Sequence, residues 1–146
     1  MPFTQEFLDR VDPTWEDARS YPAHVLKLTE EGAESYSASY WEEPLHDLKP
    51  LWAWGVFPYW DAVGEVWMLF DKSAAGHAFE IVREARIVLD RLEKPPWSFK
   101  RIFGQFDTRV TQNYKLAHLT GFYREGLLRN FGVGGEQDFS VYARVN

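Results

Sequence analysis

The hexapeptide Glu65-Val66-Trp67-Met68-Leu69-Phe70 constrains the fold more than any other stretch of this chain. In an extended strand Val66, Met68 and Phe70 point to one side, and Trp67 and Leu69 to the other. A strand apolar on both faces needs cover on both, which places it inside a layered sheet. The next residues fit that reading. Residues 71–77 read as a loop, and residues 78–93 as the clearest helix in the chain, with Ala78, Ile81, Val82, Ala85, Val88, Leu89 and Leu92 recurring at helical spacing. Arg86 and Asp90 are spaced for an i, i+4 pair on its charged face, and Pro95-Pro96 stops it.

The neighbouring elements follow from the same signals. Residues 51–57 read as an aromatic strand stopped by Pro58, with 59–64 as a turn. Residues 101–107 read as a further strand and 108–120 as a second helix, ending near Gly121 as its C-terminal cap. Residues 123–131 and 138–145 form a hairpin across Gly132-Val133-Gly134-Gly135, and in its second arm Phe139, Val141, Ala143 and Val145 alternate with Ser140, Tyr142 and Arg144. The first fifty residues are less marked: a helix start at 13–19, a strand at 23–28 and a second helix beginning near Thr29, before Pro44. The expected fold class is α/β or α+β, a mixed central sheet flanked by helices with a C-terminal antiparallel hairpin. At 146 residues the chain is one domain's worth, 1–146.

Composition narrows the chemistry. With 45% hydrophobic and 26% charged residues the chain is globular, not disordered. Zero Cys removes disulfides, thiolate metal sites and a cysteine nucleophile. His24, His46, His77 and His118 show no metal-ligand spacing, so no metal is expected. A net charge of −6 argues against a nucleic-acid partner, although residues 1–73 carry −9 and residues 74–146 carry +3. No apolar run reaches the roughly 18 residues of a membrane span, and Met1-Pro2-Phe3-Thr4-Gln5-Glu6 lacks the order of a signal peptide, so a soluble, cytoplasmic protein is expected. Gly132-Val133-Gly134-Gly135 lies between strands and reads as a turn, not a phosphate cradle. The aromatics from Trp52 to Trp67 read as core. The loop 71–77 is different, because it joins a buried strand to a helix N-terminus, where unpaired N–H groups and the helix dipole suit a pyrophosphate; a plain connection is the other reading.

Leu119-Thr120-Gly121-Phe122-Tyr123-Arg124-Glu125-Gly126-Leu127-Leu128-Arg129 resembles the "k-L-G-F-x-x-E-G" segment of the GCN5-related N-acetyltransferase (GNAT) superfamily. Residues 139–145 resemble the last strand of that family, and the strand at 65–70, loop, long helix and strand at 101–107 follow its order. Three shorter segments, Trp54-Gly55-Val56-Phe57-Pro58, Gly64-Glu65-Val66-Trp67-Met68-Leu69 and Asp107-Thr108-Arg109, resemble short acetyltransferase-like proteins of tailed bacteriophages. The likeness spans roughly residues 50–146. Two departures stand out. Lys72-Ser73-Ala74-Ala75-Gly76-His77 keeps one glycine and a basic residue of the family's [QR]-x-x-G-x-[GA] loop, and Ala117 occupies the position of its usual general-acid Tyr.

The resemblance implies direct transfer from acetyl-CoA to an amine, small or protein-borne, without a metal. It implies acyl-CoA between the strands at 65–70 and 101–107, held by Met68, Leu69, Phe70 and the loop residues Lys72, Ser73, Ala74, Ala75, Gly76 and His77. Glu65 and Asp71, at the two ends of the first of those strands, are the candidate bases. Tyr114, one turn before Ala117, and His118 beside it are the candidate acids. The alternative is a non-catalytic phage structural or host-interaction protein that retains the fold, in the host cytoplasm or the virion. A homodimer is an open arrangement.

Overall fold

The computed structural model describes residues 38–42 and 49–146. The helix start at 13–19 and the strand at 23–28 lie outside them. The elements are β1 (Ala38–Glu42), β2 (Lys49–Trp60), β3 (Val63–Phe70), α1 (Ala78–Leu92), β4 (Arg101–Asp107), α2 (Thr111–Leu119), β5 (Tyr123–Leu128) and β6 (Phe139–Val145), with 3-10 turns at Lys72–His77 and Val133–Gly135. They form a mixed sheet with helices, as the sequence predicts. The chain divides into two compact units, Met1–Phe57 with Val66–His77, and Pro58–Glu65 with Ala78–Asn146.

In the first unit β1 runs antiparallel to β2, from Ala38↔Trp54 to Glu42↔Lys49. The second helix expected to begin near Thr29 also lies outside the described residues. β3 is the other neighbour of β2. Val66, on one side of β3, and Trp67 and Leu69, on the other, are all buried, the double-sided burial that the hexapeptide requires. Trp52 stacks flat on Phe70 with ring centroids 6.1 Å apart.

Pro58 does not end β2, which continues to Trp60. Residues 58–60 are exposed, and there the fixed φ of proline suits an extended chain and its missing N–H leaves no buried carbonyl wanting. The turn is only Asp61-Ala62, with Ala62 at φ 60°.

In the second unit the strand order is β3-β4-β6-β5. β3 and β4 are parallel from Val63↔Arg101 to Glu65↔Phe103, while β4 and β6 are antiparallel along their whole length, Arg101↔Val145 to Asp107↔Phe139. β5 closes the series antiparallel to β6, with a bulge between Arg124 and Gly126. Helix α1 buries Ile81, Ala85, Leu89 and Leu92, one stripe of its expected apolar set, and leaves Ala78 exposed. Helix α2 starts at Thr111, later than the sequence suggests, because Thr108 and Arg109 form a turn. It ends in a Schellman cap: Gly121, at φ +86°, donates to His118 O at 3.2 Å, and Phe122 N donates to Ala117 O at 2.8 Å. Only a glycine takes that φ without strain.

Arg86 and Asp90 do not pair along α1; each is drawn to a tertiary partner instead. Arg86 Nε donates to Leu119 O at 2.8 Å, and Asp90 accepts from Arg144 at 2.7 Å. Arg144 also donates to Glu93 Oε1 at 2.6 Å and to Thr120 O at 3.0 Å, so one guanidinium on β6 joins the ends of α1 and α2. Burial works against the Arg144 charge, but Glu93 and Asp90 outweigh it and hold its proton more tightly than usual. Arg144→Met keeps the stem and removes these bonds, leaving Glu93 half-buried without its cation. The expected loss is about 2 kcal/mol, a fall in Tm of roughly 4–8 °C in a chain of this length. Thermal unfolding followed by circular dichroism checks it, and an unchanged Tm would show that the network adds nothing.

Candidate functional site

The turn after β3 is built by Asp71. Its side chain is 1% exposed, its Oδ2 accepts from Ser73 N at 2.9 Å and from Ser73 Oγ at 2.6 Å, and its carbonyl accepts from Ala74 N at 3.0 Å. Asp71 thus caps the 3-10 turn that the sequence reading leaves as a loop. Lys72, Ser73, Ala75 and Gly76 are exposed, His77 is half-buried and Ala74 is buried. A Cβ placed on Gly76 would meet nothing within 4 Å. An exposed backbone, a cation at Lys72 and open space at Gly76 fit a pyrophosphate; the N–H groups of Ser73 and Ala74 are already engaged by Asp71. Met68 and Phe70 are half-buried and Leu69 is buried within the same unit.

The other candidates lie in the second unit. Glu65 is half-buried and marks the end of the parallel register, opposite Phe103. Tyr114 and His118, one turn apart on α2, are sent to different surroundings. His118 is exposed, its ring edge-on to Tyr123 at 6.3 Å. Tyr114 is half-buried, its ring 5.7 Å from Tyr142, and its hydroxyl is 3.5 Å from the Asp107 carbonyl, the long limit for a donated hydrogen bond. Ala117, where the resemblance expects an acid, is 2% exposed.

Around Tyr114 the fold gathers groups that sequence reasoning missed. Asp107 ends β4 at 6% exposure, and its carboxylate accepts from Arg109 N at 2.9 Å, from Nε at 3.0 Å and from Nη2 at 2.5 Å. Burial alone would raise the Asp107 pKa, but the Arg109 bonds and charge prevail and hold it below the usual carboxylate range. Ser140 is 2% exposed, and its hydroxyl accepts from Arg124 Nε at 3.3 Å. Burial raises the Tyr114 phenol above its ordinary pKa, with Tyr142 and Asp107 adding to that and Ser140 and Arg124 opposing it. Ser140 and Tyr142 belong to the face of β6 that carries Arg144, over which α1 and α2 lie. The alternation of β6 hides this, since its exposed end is Val145, at 65%. The acid–base step from Asp107 to Arg109 is visible in the sequence and could have marked the cluster.

Among the described residues no three His, Asp or Glu side chains come together to hold a metal ion, and no helix is long and apolar enough to cross a membrane.

No family model matches the sequence, and no curated protein matches it. Solved structures do. A ribosomal-protein-S5-alanine acetyltransferase from Vibrio fischeri superposes with a TM-score of 0.66 at 15% identity, over 95% of this chain and 80% of that one. A variant of spermidine N-acetyltransferase from Vibrio cholerae gives 0.65 at 11%, over 94% and 83%. A GNAT-family acetyltransferase from Bacillus anthracis gives 0.54 at 19%, over 69% and 61%. At these identities the likeness speaks to architecture. The chain has the fold of the GNAT acetyltransferases.

Proposed function

We propose that the protein is an acetyl-CoA-dependent N-acyltransferase that transfers the acyl group directly to an amine. The observation that supports it is the likeness, over nearly the whole chain, to acetyltransferases whose names specify spermidine and a protein alanine, both amines. Acetyl-CoA supplies the activated thioester. Lys72 and the exposed backbone of the 72–77 turn take the pyrophosphate, with Gly76 giving it room. Asp71, committed to Ser73, shapes that turn and does not act as a base. Glu65 is then the carboxylate that accepts the amine proton, directly or through water. The Tyr114 hydroxyl gives its proton to the leaving thiolate, and His118, turned outward onto Tyr123, takes no part.

One observation favours a second reading. Buried Ala117 carries no proton to give, as in a phage structural or host-interaction protein that has kept the fold and lost turnover. Thermal shift separates the two. Acetyl-CoA at about 100 times its Kd stabilises a binding-competent protein by about 2.7 kcal/mol, a rise of several degrees in Tm. No shift at millimolar acetyl-CoA would favour the non-catalytic protein.

A further inference from the structure

Arg101, Arg109 and Arg144 each bond to a carboxylate: Arg101 to Glu125, Arg109 to Asp107, Arg144 to Asp90 and Glu93. Arg124 differs. Among the described residues it has no carboxylate partner, and its Nε donates to the Ser140 hydroxyl. The register explains the aim. Arg124 lies opposite Tyr142 in the β5–β6 ladder, and Ser140 is two residues along β6, so all three share the face on which Tyr114 packs. With Nε accepted by Ser140, the Ser140 proton is left to point at another acceptor. The Tyr114 ring packs on Tyr142, two residues along β6 from Ser140. Its hydroxyl reaches toward the carbonyl of Asp107, which follows Phe106, the register partner of Ser140. The phenol is thus on the Ser140 side, and its own proton has only that distant Asp107 carbonyl.

We propose that Arg124 and Ser140 are positioning residues that form an anion seat for the Tyr114 oxygen. The inference rests on the acyltransferase reading. In that reaction the amine nitrogen bonds to the acyl carbon, the carbon–sulfur bond breaks, the nitrogen's proton leaves to Glu65 or water, and the thiolate takes the Tyr114 proton. The phenolate so formed accepts from Ser140 Oγ, whose own oxygen is polarised by the Arg124 guanidinium, until solvent returns a proton. The charged and titratable groups facing the phenol are Tyr142 on β6, Asp107 at the end of β4, already neutralised by Arg109, and Arg124 on β5. Arg124 is therefore the cation in reach that can favour the charged form.

Tyrosine labelled at Cζ with carbon-13 gives one resonance for each of the 7 Tyr, and Tyr114→Phe identifies the one that matters. Its titration is followed in the parent, in Arg124→Gln and in Ser140→Ala. Both substitutions should move the Tyr114 titration to higher pH, and Arg124→Lys should restore most of the shift. Arg124 is exposed, so its variants test the seat even where loss of the buried Ser140 hydroxyl unsettles the fold. In turnover, Arg124→Gln should lower kcat about tenfold and leave KM for acetyl-CoA unchanged. A Tyr114 titration unmoved by Arg124→Gln would overturn the seat. A titration that moves in a protein that acetylates no amine would retain the seat and overturn the acyltransferase reading instead.

Discussion

Replacing Tyr114 by Phe should lower kcat by about 10²- to 10⁴-fold, the usual contribution of a positioned proton donor. The substitution is clean. The ring stays against Tyr142, 5.7 Å away, and the lost hydroxyl forfeits a 3.5 Å bond to the Asp107 carbonyl and the acceptor proposed for Ser140, both small beside the ring packing that remains. Affinity for acetyl-CoA, measured by calorimetry, should not change, because the proton is needed only as the carbon–sulfur bond breaks. A parallel fall in kcat and kcat/KM with constant affinity identifies the donor. Full activity would dismiss Tyr114 and return attention to His118.

Gly76→Glu should abolish acetyl-CoA binding while leaving the protein folded. The backbone at Gly76 does not need glycine: its φ is not positive, and a Cβ there meets nothing within 4 Å. Gly76→Ala is then nearly silent. A glutamate fills the space the pyrophosphate needs and sets a carboxylate against it. One like-charge pair at 4 Å near a protein surface costs about 4 kcal/mol, roughly a thousandfold in Kd. Calorimetric titration of the Ala and Glu variants with acetyl-CoA decides. Equal affinity in the two would place the pyrophosphate elsewhere.

Where a residue's role follows from its neighbours in the chain, the sequence was enough. The hexapeptide before Asp71 had to be covered on both sides, and Val66, Trp67 and Leu69 are. The i, i+4 stripe of α1 and the glycine that ends α2 were legible for the same reason, since a helix face and its cap are local properties. Pro58 misled because a proline in an exposed, extended stretch removes a bond that no buried partner was waiting for. Arg86 and Asp90 misled because spacing permits a pair without forcing one, and both found better partners beyond their own helix.

The candidate site divides along the same line. The 72–77 turn could be located because it follows a strand and precedes a helix. That Asp71 would serve as its cap depended on a rotamer the sequence does not encode. Choosing between Tyr114 and His118 needed to know which side of α2 faces β6. Ser140 was invisible as a participant, since alternation in β6 suggested that its apolar partners were the buried set. Three-dimensional register, not composition, brings Arg124 to it.

The bulge in β5 has a bearing on how the protein behaves in a crowded solution. β5 ends the strand order of its unit, and a straight strand there, bearing exposed Tyr123 and Leu127, would offer an unbroken row of N–H and C=O groups to any passing chain. Where Glu125 is squeezed out of step, that row loses its repeat. Glu125 is then held by Arg101 of β4, which spends the misfit residue on a bond across β6 and leaves a charge at the rim. An incoming strand would have to match a broken ladder and displace an ion pair, so the rim discourages the edge-to-edge stacking that seeds fibrils.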